Sequence, residues 1–335
     1  MRVLEAIHSA LHMLMQGHPE VLVIGEDVLD PYGGAFKATR GLSTKYPERV
    51  LATPISEAGI VGLGTGLALG GFRPVVEIMF GDFTTLIADQ LVNQAAKFRT
   101  MYGQPVPVPM VVRTPMGGRR GYGPTHSQTL DKLFLGVPGL VVVAASNVLD
   151  PGALLQAAVL EEDGPVLFVE NKLLYMAEVL GTETLMDRHG LALRVHGEKF
   201  PTAVLSHAGT ADVTLVAYGG MTPLVLAAAD ILLRDEGLVC ELVIYQAISP
   251  LDAAPLLDSV RRTRRLVVAE EGVGAFGWGA EILALVSSVS LEAPAQRVGA
   301  ALESIPASRE AECRVLPQVD DIVAAAVRTV DEEFS

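Results

Sequence analysis

The stretch RVLATPISEAGIVGLG, residues 49–64, joins a short apolar run directly to the start of a helix. Arg49–Ala52 predicts a buried strand. Ser56 is a favourable N-cap residue, and Glu57 then lies in the first helical turn, where a carboxylate interacts favourably with the helix dipole. The six glycines between residues 59 and 71 each weaken a helix by up to about 1 kcal/mol relative to alanine. We therefore expect another part of the protein to pack close to this helix backbone.

The same order of strand and helix repeats along the chain. Short apolar runs predict strands at Val21–Ile24, Arg49–Ala52, Arg73–Glu77, Pro109–Arg113, Leu140–Ala144, Val166–Val169, Val213–Ala217, Cys240–Tyr245 and Leu266–Ala269. Helical spacing predicts helices at Met1–Gln16, Phe83–Arg99, Asp150–Glu161, Thr222–Asp235, Pro250–Thr263 and Trp278–Val289. Apolar strands that alternate with helices are typical of parallel sheets covered on both faces. The sequence thus predicts an α/β protein with two parallel-sheet domains.

The stretch from about Met176 to Ala211 breaks this alternation. It contains several glycines and scattered charge without a sustained hydrophobic period, which is typical of a connection between domains. We therefore predict a first domain at residues 1–180, a linker at 181–205 and a second domain at 206–335.

Composition excludes several classes of protein. The 335 residues carry a formal net charge of −14, and an acidic surface repels the phosphate backbone of nucleic acids. Two cysteines do not form a disulfide framework, and the amphipathic start of the chain is not typical of a secretory signal. No uninterrupted apolar run reaches the roughly 18 residues of a membrane span. We expect a cytoplasmic protein that binds neither membrane nor nucleic acid.

The run Gly272-Val-Gly-Ala-Phe-Gly277 follows a predicted strand and precedes a predicted helix. This G-x-G-x-x-G spacing occurs in sites that bind the pyrophosphate of NAD. Two predicted strands of the second domain precede it, however, and Glu270 and Glu271 would place negative charge beside the phosphates. We favour a tight turn that leads into a packed helix, with NAD binding as the alternative.

Three segments carry side chains suited to catalysis. The first begins the helix at Glu57, and the second, Glu77–Phe83, ends a strand with aromatic residues that can form a flat wall for a heteroaromatic ring. The third is the glycine-rich loop after the fourth predicted strand, where Arg119, Arg120 and His126 predict a site that binds anions and donates a proton. The sequence contains no H-E-x-x-H, G-x-S-x-G or Walker motif and no close cysteine pair, so hydrolase, P-loop and zinc sites lack support.

Together, TPISEAGI at residues 53–60, EIMFGDF at 77–83 and GPTHSQ at 123–128 resemble the beta subunits of thiamine-diphosphate-dependent 2-oxo-acid dehydrogenases. The resemblance spans nearly the whole chain. It implies a transketolase-like pyrimidine-binding domain followed by a transketolase C-terminal-like domain. It also implies decarboxylation of a 2-oxo acid, acyl transfer to a lipoyl domain and an α2β2 heterotetramer that holds the cofactor between alpha and beta chains.

The resemblance assigns roles to individual residues. Glu57 is expected to hydrogen-bond the aminopyrimidine ring of thiamine diphosphate, and Phe83 to stack on that ring. His126 is expected to serve in proton transfer or in acyl transfer to lipoamide, and Glu26 in a proton relay between sites. Arg119 and Arg120 are expected near the substrate.

The family holds Mg²⁺ through a G-D-G motif followed downstream by an Asn-Asn pair. This chain has Gly81-Asp82-Phe83 instead, and no Asn-Asn pair. We therefore predict no metal ligand in this chain, and an alpha subunit that holds most of the Mg²⁺ shell.

The resemblance leaves the substrate open, because Asn171-Lys172 and Gly118–Tyr122 depart from the family pattern. One alternative is acetoin cleavage. Another is transketolase-like transfer of a two-carbon unit to a carrier protein, with Arg119 and Arg120 as phosphate ligands. A non-catalytic scaffold subunit is a more remote alternative, since the chain retains Glu57, Phe83 and His126.

Overall fold

The computed structural model describes residues 1–331. The strands in this range are β1 (Val21–Gly25), β2 (Val50–Ala52), β3 (Arg73–Glu77), β4 (Val111–Met116), β5 (Val141–Ala144), β6 (Val166–Asn171), β7 (Ala192–His196), β8 (Thr202–Ser206), β9 (Val213–Tyr218), β10 (Cys240–Tyr245), β11 (Ala247–Ser249), β12 (Leu266–Val273) and β13 (Gln296–Ala300). The α-helices are α1 (Val3–Gly17), α2 (Leu42–Lys45), α3 (Glu57–Leu69), α4 (Ala96–Met101), α5 (Pro151–Leu160), α6 (Thr182–His189), α7 (Thr222–Ile231), α8 (Ala254–Thr263), α9 (Trp278–Leu285), α10 (Arg309–Val315) and α11 (Val319–Asp331).

The first sheet has the order β11-β5-β6-β4-β3-β1-β2 and is parallel except for β11. Its strands are buried on both faces because a separate core lies on each side. One core joins the sheet to α1 and α5, and the other joins it to α3. The second core continues into the other domain through Val216, Tyr245 and Trp278, so the two domains share apolar packing.

The second sheet has the order β13-β12-β9-β10-β8-β7. Strands β13, β12, β9 and β10 are parallel, whereas β8 and β7 are antiparallel to their neighbours. The predicted α/β class with two sheets is confirmed, with the correction that this sheet is mixed.

The segment predicted as a linker, residues 181–205, is folded. It contains α6, β7 and all but the last residue of β8. Four of the five residues of β8 are buried against β10. The sequence gives no sign of these elements, because short antiparallel strands separated by glycines give little hydrophobic periodicity.

The predicted helix at Phe83–Arg99 is a succession of three helical forms. A 3₁₀ segment at Gly81–Ile87 and a π segment at Asp89–Ala95 precede α4. The hydroxyls of Thr84 and Thr85 donate to carbonyls three residues earlier, at 2.6 and 3.1 Å. Such bonds favour a tighter turn than the α-helix, and this turn carries Phe83.

The structure also contradicts the NAD alternative. Both carboxylate oxygens of Glu270 accept hydrogen bonds at the start of α9, from the backbone N–H groups of Trp278 and Gly279 at 2.8 and 2.9 Å. A Cβ on Gly277 would lie 2.3 Å from a Glu270 oxygen. The chain's own carboxylate thus occupies the position where a pyrophosphate would bind.

No helix within residues 1–331 has the length and apolar character needed to cross a bilayer.

Candidate active site

Two acids lie at the carboxyl ends of neighbouring parallel strands. Glu26 follows β1 directly, and Glu57 begins α3 a few residues after β2, which pairs with β1. A backbone hydrogen bond from Thr53 to Gly25 (3.1 Å) holds the two strand ends together. Both side chains are buried, at 7% and 8% exposure. The side chain of Ser56 makes no capping hydrogen bond, so the expected N-cap interaction is absent.

The two carboxylates interact. Burial raises the pKa of Glu26, and the negative charge of Glu57 raises it further. One oxygen of Glu26, Oε1, is buried without a hydrogen-bond partner among the described residues. Buried carboxylate oxygens normally have partners, so this oxygen is available to a group from outside the chain.

The helix that starts at Glu57 has one packed side and one bare side. A Cβ on Gly64 would meet Val76 at 2.7 Å, whereas a Cβ on Gly66 would meet nothing within 4 Å. Leu63, one helical turn before Gly66, is 47% exposed, and Ile55, just before the helix, is 84% exposed. A helix that is apolar all round is normally covered all round, so this face has the character of an interface.

An aromatic cluster surrounds His126. Its imidazole lies edge-on to Phe80 and Phe83, with ring centroids 4.9 and 5.3 Å apart. Phe80 also contacts Phe36 and Tyr122, at 6.1 and 6.2 Å. The structure therefore brings the predicted residues Phe83 and His126 together. The 3₁₀ segment that carries Phe83 packs against α3, the helix of Glu57.

A hydrogen-bonded clasp fixes the two segments of this cluster to each other. Asp82 Oδ1 accepts from the Gln128 side chain at 2.9 Å and from its backbone N–H at 3.2 Å. Oδ1 of Asp82 is therefore engaged within the chain, whereas Oδ2 is buried without a hydrogen-bond partner among the described residues. Within residues 1–331 no group of three or more His, Cys, Asp or Glu side chains is arranged to hold a metal ion.

The two arginines of the loop have different surroundings. The guanidinium of Arg119 lies 3.1 Å from Glu271 and donates to the carbonyl of Pro317 at 2.5 Å, so it ties the loop to the second domain. These contacts give Arg119 a structural role, and its place near the substrate stays a prediction. Arg120 lies over the rings of Phe36 and Tyr122, at 5.8 and 5.7 Å, within the aromatic cluster.

A buried ionic network that the sequence analysis missed lies beside the cluster. Arg113 donates to both oxygens of Glu170, at 2.8 and 2.9 Å, and to Glu77 on its other side. Tyr175 donates to Glu170 at 2.5 Å and packs on Phe36, 5.1 Å between centroids. The network thus contacts the aromatic cluster through Tyr175. Its only signal in the sequence is a charge at or just after the end of three apolar runs.

Comparisons with known proteins agree with this architecture. Residues 1–178 match the family model for the transketolase pyrimidine-binding domain, and residues 202–322 match that for the transketolase C-terminal domain. Among solved structures, a split-gene transketolase in an inactive β4 tetramer superposes with a TM-score of 0.77, covering 100% of this chain and 99% of that one. Its sequence identity is 23%, so this likeness concerns the fold.

Curated relatives cover almost the whole chain. A mitochondrial pyruvate dehydrogenase E1 component subunit beta-2 from Oryza sativa subsp. japonica is 41% identical, covering 98% of this chain and 86% of its own. The 2-oxoisovalerate dehydrogenase subunit beta of Pseudomonas aeruginosa is 38% identical, covering 89% of this chain and 86% of its own. The chain therefore belongs to the family of beta subunits of 2-oxo-acid dehydrogenase E1 components, which combines the two transketolase-type domains.

Proposed function

We propose that this chain is the beta subunit of a thiamine-diphosphate-dependent 2-oxo-acid dehydrogenase that decarboxylates a 2-oxo acid and acylates a lipoyl domain. The observation that carries the proposal is the buried acid pair at the start of a helix whose other face is bare. A buried acid pair at the carboxyl ends of two strands, beside an uncovered apolar helix face, fits a cofactor held between two chains.

The residues present fit the pyrimidine half of thiamine diphosphate. Glu57 offers a buried carboxylate for a ring nitrogen, Phe83 offers an aromatic face, and the unpartnered Glu26 oxygen offers a second acceptor or donor. When bound, the cofactor supplies a carbon nucleophile and an electron sink for decarboxylation. The carboxylate of Glu57 is in a site with little water, where it stabilises a developing charge more strongly than it would in bulk solvent.

His126 lies on the same aromatic wall as Phe83 and is the ionisable group best placed to pass a proton to or from a substrate there. Its imidazole is half-buried, contacts both rings and lies 3.0 Å from the hydroxyl of the neighbouring Thr125. Glu26 acts through Glu57 rather than on substrate, because the negative charge of Glu57 raises the pKa of Glu26.

The diphosphate half of the site fits this chain poorly, because the sequence has Phe83 in place of the second glycine of the G-D-G motif and lacks the Asn-Asn pair. We propose that an alpha subunit supplies the Mg²⁺ and diphosphate ligands and covers the bare face of α3, in an α2β2 assembly. A lipoyl-bearing acyltransferase is the proposed acyl acceptor. The expected cytoplasmic location stays a prediction, since the relatives include mitochondrial proteins as well as bacterial ones.

Transketolase-like transfer from a sugar phosphate loses support. That alternative relied on two arginines as phosphate ligands, and Arg119 is bound to Glu271 and Pro317. Pyruvate and branched-chain 2-oxo acids are the substrates to test first, because they are the ones named in the relatives.

The test is co-expression with the alpha-subunit candidate from the same genome, followed by a screen of 2-oxo acids with ferricyanide as electron acceptor. We expect turnover only when both chains, thiamine diphosphate and Mg²⁺ are present. Each chain alone is the control. A purified complex that turns over no 2-oxo acid would contradict the proposal, and tight cofactor binding by this chain alone in calorimetry would contradict the shared site.

A further inference from the structure

Lys172 is a buried cation that the proposed mechanism does not use. It follows β6 directly and is 1% exposed, among the largest side chains of the chain to be fully enclosed. A lysine is almost never fully buried unless its ammonium has partners. The groups around the ammonium of Lys172 therefore indicate its role.

Both ends of Lys172 hold the loop that carries His126. Its ammonium Nζ donates to the backbone carbonyl of His126 at 2.5 Å, and its own carbonyl accepts from the guanidinium of Arg120 at 3.4 Å. The loop lies between these two contacts, at residues 120 and 126. Its glycines at 121 and 123 have positive φ and make it a segment that needs external fixing to keep one conformation.

The ammonium also faces two rings of the aromatic cluster. Nζ lies 5.1 Å from the centroid of Phe80 and 5.8 Å from that of Tyr122. A cation is attracted to an aromatic face, more strongly where water is excluded. Phe80 is in turn the ring that lies edge-on to the imidazole of His126. Lys172 thus contacts both the backbone of His126 and the ring against which its side chain packs.

We infer that Lys172 is a positioning residue that fixes the imidazole of His126 by binding the loop backbone and the ring of Phe80 at once. The inference rests on the proposed function, because it treats His126 as the proton-transfer residue. It adds a residue that touches neither substrate nor cofactor and acts through another side chain.

The charges around Lys172 explain how it stays protonated. Asp82, Glu271 and Glu312 favour the ammonium, whereas burial and the neighbouring Arg120 disfavour it. Burial is the largest effect and lowers the pKa of Lys172 to about 8. The ammonium is therefore present at pH 7 and is lost as the pH rises through 8. A neutral amine keeps a hydrogen bond but loses the attraction to the two rings, so the loop should loosen in that range.

The first test is hydrogen–deuterium exchange of the full chain from pH 7 to 9.5, corrected for intrinsic exchange rates, and it needs no turnover. In the wild type, we expect protection of residues 118–128 to fall above pH 8. Lys172→Met should exchange fast in this segment at every pH, whereas Lys172→Arg, which keeps its charge, should stay protected throughout. Lys97→Met is the matched control, because Lys97 Nζ also binds one distant carbonyl, that of Pro138 at 2.6 Å.

The second test is steady-state kinetics of the complex with its alpha subunit. A misplaced catalytic group costs rate rather than binding, so Lys172→Met should lower kcat about 10- to 100-fold with KM little changed. In the wild type, kcat should fall above pH 8 as the ammonium of Lys172 loses its proton. Lys172→Arg should restore part of the kcat lost in Lys172→Met and should not show this fall above pH 8.

Protection of residues 118–128 that is the same in wild type and Lys172→Met, or that does not change with pH in the wild type, would overturn the inference. If Lys172→Met does not fold, the wild-type pH series decides alone. These outcomes differ from failure of the proposed function, in which the wild-type complex turns over no 2-oxo acid while the exchange experiment still gives its answer.

Discussion

The starts of α3 and α9 share a strand–turn–helix pattern but differ in what occupies them. Each helix follows a strand and a glycine-containing or proline-containing turn, and each has a buried glutamate close to its first N–H groups. At α9, Glu270 turns back and accepts from two of these N–H groups. At α3, Glu57 is itself the first helical residue, and the side chain of the N-cap residue Ser56 makes no capping hydrogen bond. The start of α9 is thus closed by its own chain, whereas the start of α3 is open to another molecule.

This difference teaches that a glycine-rich turn before a helix does not by itself identify a ligand site. What matters is whether the chain satisfies the helix start internally. A carboxylate that serves structure should affect stability when it is changed, and one that serves chemistry should affect rate. The following predictions separate the two cases.

The largest expected effect is on catalysis at the open helix start. Glu57→Gln should lower kcat of the complex about 100- to 1000-fold, the loss typical of removing one preorganised group from a reacting centre. The melting temperature of the chain should change little, because Glu57 makes no capping bond. Glu183→Gln is the control, since Glu183 is an exposed acid in the first turn of α6. Near-normal turnover by Glu57→Gln would remove this residue from the mechanism.

The closed helix start should show its effect in stability against pH. Burial raises the pKa of Glu270 to about 7 from 4.5. Between these values the folded chain holds a proton that the unfolded chain has lost, so the contribution of this group to the free energy of unfolding falls as pH rises. The Glu270→Gln variant has no titrating group at this position. Relative to this variant, the free energy of unfolding of the wild type should fall by about 3 kcal/mol between pH 4.5 and 7.5.

Urea unfolding of both proteins at several pH values measures this difference, under conditions where each refolds reversibly. Turnover by the complex should change far less than in Glu57→Gln. A difference between the two proteins that is constant with pH would show that Glu270 titrates normally, and that the two helix starts are more alike than their geometry indicates.

The smallest effects separate the packed and bare sides of α3. Gly64→Ala should destabilise the chain by about 1–3 kcal/mol, because its Cβ meets Val76 and Met110 in a filled core. Gly66→Ala should stabilise the isolated chain by about 0.5–1 kcal/mol, since alanine favours a helix and the Cβ meets nothing. Urea unfolding of the chain alone measures both.

Gly66→Ala also tests whether an alpha subunit covers the bare face of α3. If an alpha subunit covers the bare face closely, Gly66→Ala should weaken association with it despite the gain in stability. Titration of one purified chain into the other measures the affinity. Unchanged affinity in Gly66→Ala would place the partner elsewhere on the surface.

The sequence predicts the central strands and the start of α3 well, because local pattern is enough there. The buried strands β3 and β10 begin and end where they are predicted. The sequence does not predict β7, β8, β11 and β13, because strands that are short or lie at a sheet edge give little hydrophobic signal. In the site, Glu57, Phe83 and His126 belong to recognisable motifs. The network of Arg113, Glu77 and Glu170 and the contacts of Lys172 depend on which strands are neighbours, and this follows only from the sheet order.

Strand β11 has a consequence for the integrity of the molecule. It lies in the chain between two elements of the second domain, yet it pairs with β5 at the edge of the first sheet. The backbone N–H of Ala144 also donates to Gln246 at 2.8 Å. A fragment cut after residue 205 would therefore expose the unpaired main chain of β5, a surface that promotes aggregation. The first sheet is therefore completed by a strand from the second half of the chain, and the two halves are not independent folding units.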